Sequence, residues 1–166
     1  MKKYDCLFIG NAIVDVVSNV SFEFLKEQNI DVGSWRPTAV DQISQLQKKM
    51  ENTLIASGGS AANSAVGFSL LGGNSSFIGR VKDDEFGKLY IKDLQSANVD
   101  FVSSSVKSGI ETGRCLVYVT PDAQRSMRTY LGAASNLSPD EINENAIEDS
   151  EFVYMEGYLW DEPIAK

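Results

Sequence analysis

The sequence contains no histidine, and that absence removes several chemistries at once. A Ser-His-Asp triad, a Cys-His pair and a His-ligated zinc are excluded within these 166 residues. Acid–base work here falls to Asp, Glu, Lys or Tyr. Cysteine is scarce: Cys6 and Cys115 both lie in apolar, strand-type runs. They read as buried thiols of a reducing compartment rather than as a disulfide or a redox pair. Basic residues are outnumbered, 15 Lys and Arg against 23 Asp and Glu, for a net charge of −8. Phosphate backbones and anionic membranes require a concentrated positive field, and no Lys/Arg cluster supplies one, so neither nucleic acid nor a membrane is expected as a partner. No apolar run approaches the roughly 20 residues of a membrane span, and no charged-then-apolar leader opens the chain. The expected location is cytoplasmic.

What is present suits a folded α/β chain. Apolar residues make up 43% and charged residues 23%, enough for a real core and against wholesale disorder. "CLFIG" (6–10) is an apolar run stopped by glycine, the pattern of a strand buried on both faces. "NAIVDVVSNV" follows, β-branched around a lone acid, Asp15. Helical spacing appears over 22–30 and 39–51, where Val40, Ile43, Leu46 and Met50 recur. "NTLIAS" reads as a strand, 61–71 as a helix ended by Gly72-Gly73, "SSFIGRV" (75–81) as a strand, and 83–99 as a helix with an acidic start. "TGRCLVYVT" and "RSMRTYLGA", joined across "PDAQ", predict a β-hairpin. A helix is expected over 137–147, with Ser138 as N-cap, Pro139 first and Glu141 closing a capping box, followed by a buried strand over 151–160. Alternation of strands and helices predicts a parallel sheet covered by helices, with the extra strands forming a smaller β-layer to one side. A parallel strand calls for a crossover and a next strand, and only "DEPIAK" follows. The chain therefore reads as the N-terminal portion of a longer protein.

One segment is unusual. "ASGGSAANSA" (56–65) holds nothing larger than Asn63 and falls between a strand end and a helix start, where ligands gather in open α/β sheets. Glycines there admit close approach to the backbone. A tight turn before a closely packed helix would explain Gly58, Gly59 and the alanines without any ligand, but not the amide of Asn63. A dinucleotide fingerprint fails, since Ser60 and Asn63 stand where glycines are needed, and no G-K-[ST] of a Walker loop occurs.

The segment does match another pattern. "GGSAANSAVGFSLLG" resembles the first signature of the PfkB family of carbohydrate and nucleoside kinases. "GNAIVD" (10–15) is similar to that family's opening motif, and "SFIGRVKDDEFG" (76–87) to its glycine-and-aspartate run, with Lys82 where glycine is usual. "TGRCLVYVTPDAQRSMRTYLGAASNL" resembles its lid hairpin and the segment after it. The likeness spans essentially the whole chain, with four motifs in order, and the spacing of Asn11 and Asp15 resembles adenosine-kinase-like members most.

The resemblance implies a ribokinase-like fold, with lid strands around 11–20 and 112–131 and the C-terminal part of the fold absent from this chain. It implies ATP-dependent phosphorylation of a hydroxymethyl group on a nucleoside or sugar. Asp15 would accept hydrogen bonds from two sugar hydroxyls, Asn11 would support that loop or reach a hydroxyl, Gly58 and Gly59 would bring backbone N–H groups to the sugar, and Asn63 would bond another hydroxyl. Tyr118 or Tyr130 would stack on a base, and a homodimer could form through the lid. ATP and Mg²⁺ belong to the full-length parent, whose catalytic Asp is expected beyond Lys166, so the 166 residues alone are expected to be inactive. No metal site is expected within them. Two alternatives stand beside the nucleoside kinase: a sugar kinase of ribokinase or fructokinase type, and a non-catalytic half that only holds a nucleoside or polyol.

Overall fold

The computed structural model describes residues 2–161; the expected catalytic Asp, and the end of "DEPIAK", lie outside them. Two sheets organise the chain. The first is parallel, with strands β1 (Tyr4–Ile9), β5 (Ser75–Ile78), β6 (Val99–Phe101) and β9 (Ser150–Met155) in the order β6-β5-β1-β9. Alternation along β1 divides the core. Cys6 and Phe8 pack with Phe77, Tyr90, Leu94 and the alanines 61, 62 and 65 on one side, and Leu7 and Ile9 pack with Ile78, Leu137, Ala146 and Leu159 on the other. The first of these layers is supplied by helices α3 (Ser60–Leu70) and α4 (Glu85–Ser96), the second in part by α5 (Glu144–Glu148). The small residues of "SAANSA" thus let α3 lie close upon the sheet.

The second sheet has five strands rather than the smaller layer expected from sequence. They are β2 (Ile13–Asn19), β3 (Trp35–Pro37), β4 (Leu54–Gly58), β7 (Thr112–Val119) and β8 (Arg125–Gly132), in the order β3-β8-β7-β2-β4. The hairpin forms as expected, β7 antiparallel to β8, with Asp122 accepting from Thr120 Oγ1 at 2.6 Å and from the Gln124 N–H at 3.2 Å across the turn. One face of this sheet, through Val16, Leu116 and Tyr118, packs on Leu25, Ile43 and Leu46 from helices α1 (Phe22–Glu27) and α2 (Val40–Gln47). Both cysteines are free and buried.

Two sequence expectations are corrected near the end of the chain. The helix over 137–147 is instead a 3-10 turn at Pro139–Glu141, a break, and then α5. The capping box is present, the Ser138 N–H and hydroxyl both donating to Glu141 at 3.1 Å. It caps a single turn, and the same Glu141 oxygen also pairs with Arg80 at 2.7 Å. The strand over 151–160 stops at Met155, and its side chains from Glu151 onward are exposed rather than buried, because its two faces are left uncovered among the described residues.

Candidate functional site

The chain passes from one sheet to the other twice at the same place. Strand β1 ends at Ile9, Gly10–Ala12 cross the gap, and β2 starts the second sheet at Ile13. Strand β4 ends at Gly58 in the second sheet, and α3 then starts against the first. Because β2 and β4 pair antiparallel with Ile13 opposite Gly58 and Asp15 opposite Ala56, the two crossings are neighbours. Asn11, Asp15, Gly58 and Gly59, remote in sequence, therefore come together.

Asp15 lies half-buried on β2, beside Cys115 of β7. Among the described residues its carboxylate makes no hydrogen bond and no ion pair. Burial pushes its carboxyl up to about 6, against the pull of the Arg125 guanidinium. The two glycines answer to separate needs. A side-chain carbon at Gly58 would fall 2.5 and 2.6 Å from the Asp15 carboxylate oxygens, so only hydrogen leaves that carboxylate room. Gly59 has φ +95°, outside the range of L-residues, and a side chain there would strike the Asn11 carbonyl. Asn63 is exposed in the first turn of α3. Its N–H donates to the Gly59 carbonyl at 2.9 Å, and among the described residues its side chain has no partner.

Glu156, not among the site residues expected from sequence, joins this group. Its carboxylate is buried, one oxygen accepting from the Asn11 N–H and Nδ2, both at 2.7 Å, the other from Ser60 Oγ at 2.6 Å and the Ala61 N–H at 3.1 Å. It stands directly after β9, a lone acid in "VYMEGYLW". An acid at the carboxyl end of a parallel strand, followed by glycine, was the available signal.

The face of the second sheet that carries Asp15 is mainly apolar near it, with Thr129 in the same row and Asn19 and Arg125 at its far end. Strand register places Ala56, Cys115, Thr129 and Pro37 in its row, and Leu54, Val17, Val117, Met127 and Trp35 in the next. The Trp35 indole N–H donates to Thr129 Oγ1 at 3.0 Å, and that hydroxyl lies 3.1 Å from Cys115 Sγ. Tyr118 and Tyr130 do not belong to this face. They alternate to the opposite side, where Tyr118 is fully buried against Phe24 and Tyr130 packs on the same cluster, so neither points to Asp15. Strand alternation decides this, and register is not readable from an isolated tyrosine. Asp84, from the glycine-and-aspartate run, anchors the hairpin: it caps α4 through the Gly87 N–H at 2.9 Å and accepts from the Thr112 N–H at 2.9 Å and hydroxyl at 2.7 Å.

Such a junction offers a carboxylate for a pair of hydroxyls, close backbone, an exposed amide and an apolar shelf. Among the described residues no three His, Cys, Asp or Glu side chains gather to hold a metal ion.

The model of the pfkB family of carbohydrate kinases matches residues 27–165. Among curated proteins, 5-dehydro-2-deoxygluconokinase of Bacillus licheniformis is 28% identical over 145 residues, covering 83% of this chain and 45% of that protein. Probable fructokinase-7 of Arabidopsis thaliana is 35% identical over 111 residues, covering 65% and 32%. Among solved structures, an adenosine kinase from Sinorhizobium meliloti superposes with a TM-score of 0.90 at 39% identity, over 98% of this chain and 50% of that one. A probable sugar kinase from Rhizobium etli gives 0.91 at 36%, over 99% and 50%. The chain spans half the length of these solved structures and less than half of these curated relatives.

Proposed function

The chain belongs to the pfkB family of carbohydrate kinases, and from that premise we propose that the intact protein transfers the γ-phosphate of ATP to the hydroxymethyl group of an adenosine-like nucleoside held at Asp15. The observation that carries this reading is the apolar row beside Asp15. Two residues along a strand span about 6.6 Å, so the row of Val17, Val117, Met127 and Trp35 lies one sugar width beyond the carboxylate on the same face. A base joined to a ribose reaches that row, whereas a free hexose at Asp15 leaves it bare. Its apolar side chains, with Trp35 the one aromatic among them, suit a planar heteroaromatic group.

In this reading the ionised Asp15 accepts two sugar hydroxyls, which orients the sugar for phosphoryl transfer, a reaction that consists mostly of positioning. Asn11, Gly58 and Gly59 shape the wall around it, and Asn63 meets a further hydroxyl. The five-stranded sheet acts as a lid that keeps water from competing for the phosphoryl group. ATP would supply the phosphoryl group and Mg²⁺ the charge neutralisation, and the 166 residues alone are expected to turn over no ATP.

The fructokinase and 5-dehydro-2-deoxygluconokinase relatives favour a second reading, a sugar kinase. Coupled ATP-turnover assays on the intact gene product with adenosine, ribose and fructose decide between them. The nucleoside reading expects kcat/KM for adenosine to exceed that for fructose by about tenfold or more, since a buried aromatic contributes well over 1.4 kcal/mol. Preference for fructose makes it a sugar kinase, and binding without turnover leaves a binding module. In the active protein Asp15→Ala is expected to raise acceptor KM about tenfold or more, each lost bond to a charged acceptor costing roughly 1.5–3 kcal/mol, with ATP KM unchanged.

A further inference from the structure

Taking the junction as the acceptor site, as proposed above, we infer that Glu156 is a positioning residue that sets the acceptor cradle by clamping Asn11 to the start of α3. A carboxylate only accepts hydrogen bonds, and each of its oxygens here takes two donors. One holds the Asn11 backbone N–H and amide, the other holds Ser60 Oγ and the Ala61 N–H. Glu156 thereby ties together three segments: the end of β9, the crossing from β1 to β2, and the first turn of α3. The last two are the walls between which Gly58 and Gly59 pass, and the crossing leads directly into Asp15.

The clamp also decides how the Asn11 amide faces. Turned the other way, its oxygen would meet the Glu156 carboxylate, so Nδ2 is held toward Glu156 and Oδ1 away from it. That Oδ1 is buried without a donor among the described residues. A buried acceptor left unpaired stays in place only where its surroundings over-determine it, and here the charged clamp is what does so. Glu156 acts on the acceptor through Asn11 and the α3 turn, not by contact.

The test uses the intact gene product. Glu156→Gln keeps the shape but exchanges one acceptor oxygen for a donor, which faces other donors whichever way the amide lies. Acceptor KM is expected to rise about tenfold, the scale of one broken charge-assisted bond, with ATP KM and kcat changed by less than about threefold. Combining it with Asn11→Ala should leave acceptor KM within about twofold of Asn11→Ala alone, because residues that act as one unit are not additive. Asn11→Asp opposes two carboxylates and should raise acceptor KM. Adding Glu156→Gln to it should recover part of that loss, since the new amide can donate to Asp at position 11. Hydrogen exchange at the Asn11 and Ala61 amides reads the clamp without any turnover, and Glu156→Gln is expected to speed exchange at both. Unchanged exchange overturns the clamp. Faster exchange with unchanged acceptor KM, or additive and unrescued double variants, overturns the positioning role. An unmodified protein inactive on every acceptor instead refutes the kinase reading, leaving the exchange result to stand by itself.

Discussion

Asp15 faces a conflict between burial and ionisation, and its sign can be worked out. Its carboxyl lies at about 6 in the folded chain against an ordinary 3.8, so between those values the folded state binds the proton better than the unfolded one. The stability this provides is complete below about pH 4 and is lost as pH rises through about 6. Asp15→Asn should therefore leave the ligand-free protein more stable than the parent at pH 7.5, by about 1–2 kcal/mol once partial exposure is allowed for, with the difference vanishing near pH 4. Denaturant melts of both proteins from pH 4 to 8 check it; a variant less stable at pH 7.5 would show that the carboxylate is held by something other than function. Acceptor affinity should run the other way, falling as pH drops below about 6, because hydroxyls donate to the ionised form. Asp15 stood out in sequence as a lone acid among β-branched residues, whereas Asn11 was marked only by the resemblance of "GNAIVD" to a kinase motif. Glu156 was not legible, since it follows a strand read as continuing to residue 160, which hid the strand end on which it sits.

At the level of elements, the turn from β4 into α3 shows how backbone conformation serves the site. Gly59 stands at φ +95° with the Asn11 carbonyl where a side chain would go. Gly59→Ala is thus strained twice over. An L-residue on the positive-φ side costs about 1–2 kcal/mol, and the contact displaces the very loop that Glu156 holds. The expected result is a ligand-free melting temperature lower by about 4 °C or more, together with weaker acceptor binding. A normal melting temperature with lost binding would mean that the glycine exists for the ligand alone. Hydrophobic period and turn chemistry made α2, α4 and the hairpin legible, because those elements bury one regular face each. Strand β3 was not, being three residues long with a proline at its end and joined to β8 through long-range pairing. Nor was the broken helix near Glu141, whose tertiary ion pair to Arg80 leaves no mark among local helix signals.

For the whole molecule, the exposed side of the first sheet is its least protected surface. Strand β9 stands at one end of the sheet, and Phe152, Val153, Tyr154 and Met155 are exposed on its two faces, with Tyr158 and Trp160 just beyond. The composition of this run is that of a strand covered on both faces, but composition reports what a strand is suited to, not what covers it in these 166 residues. Contiguous apolar surface beside a strand at the end of a sheet favours association with any further strand or apolar face. The 166-residue chain expressed alone should accordingly bind the dye ANS and self-associate with rising concentration. Phe152 is 73% exposed, so Phe152→Lys removes little packing and adds a charge to the patch. It should shift sedimentation toward the monomer and reduce dye fluorescence while changing stability by less than about 0.5 kcal/mol. The same substitution in the intact gene product tests what the surface is for. If the remainder of the protein covers it, Phe152→Lys there should lower the melting temperature sharply, as burying an unpaired ammonium does. Equal and small effects in both contexts would show that this face stays open to solvent.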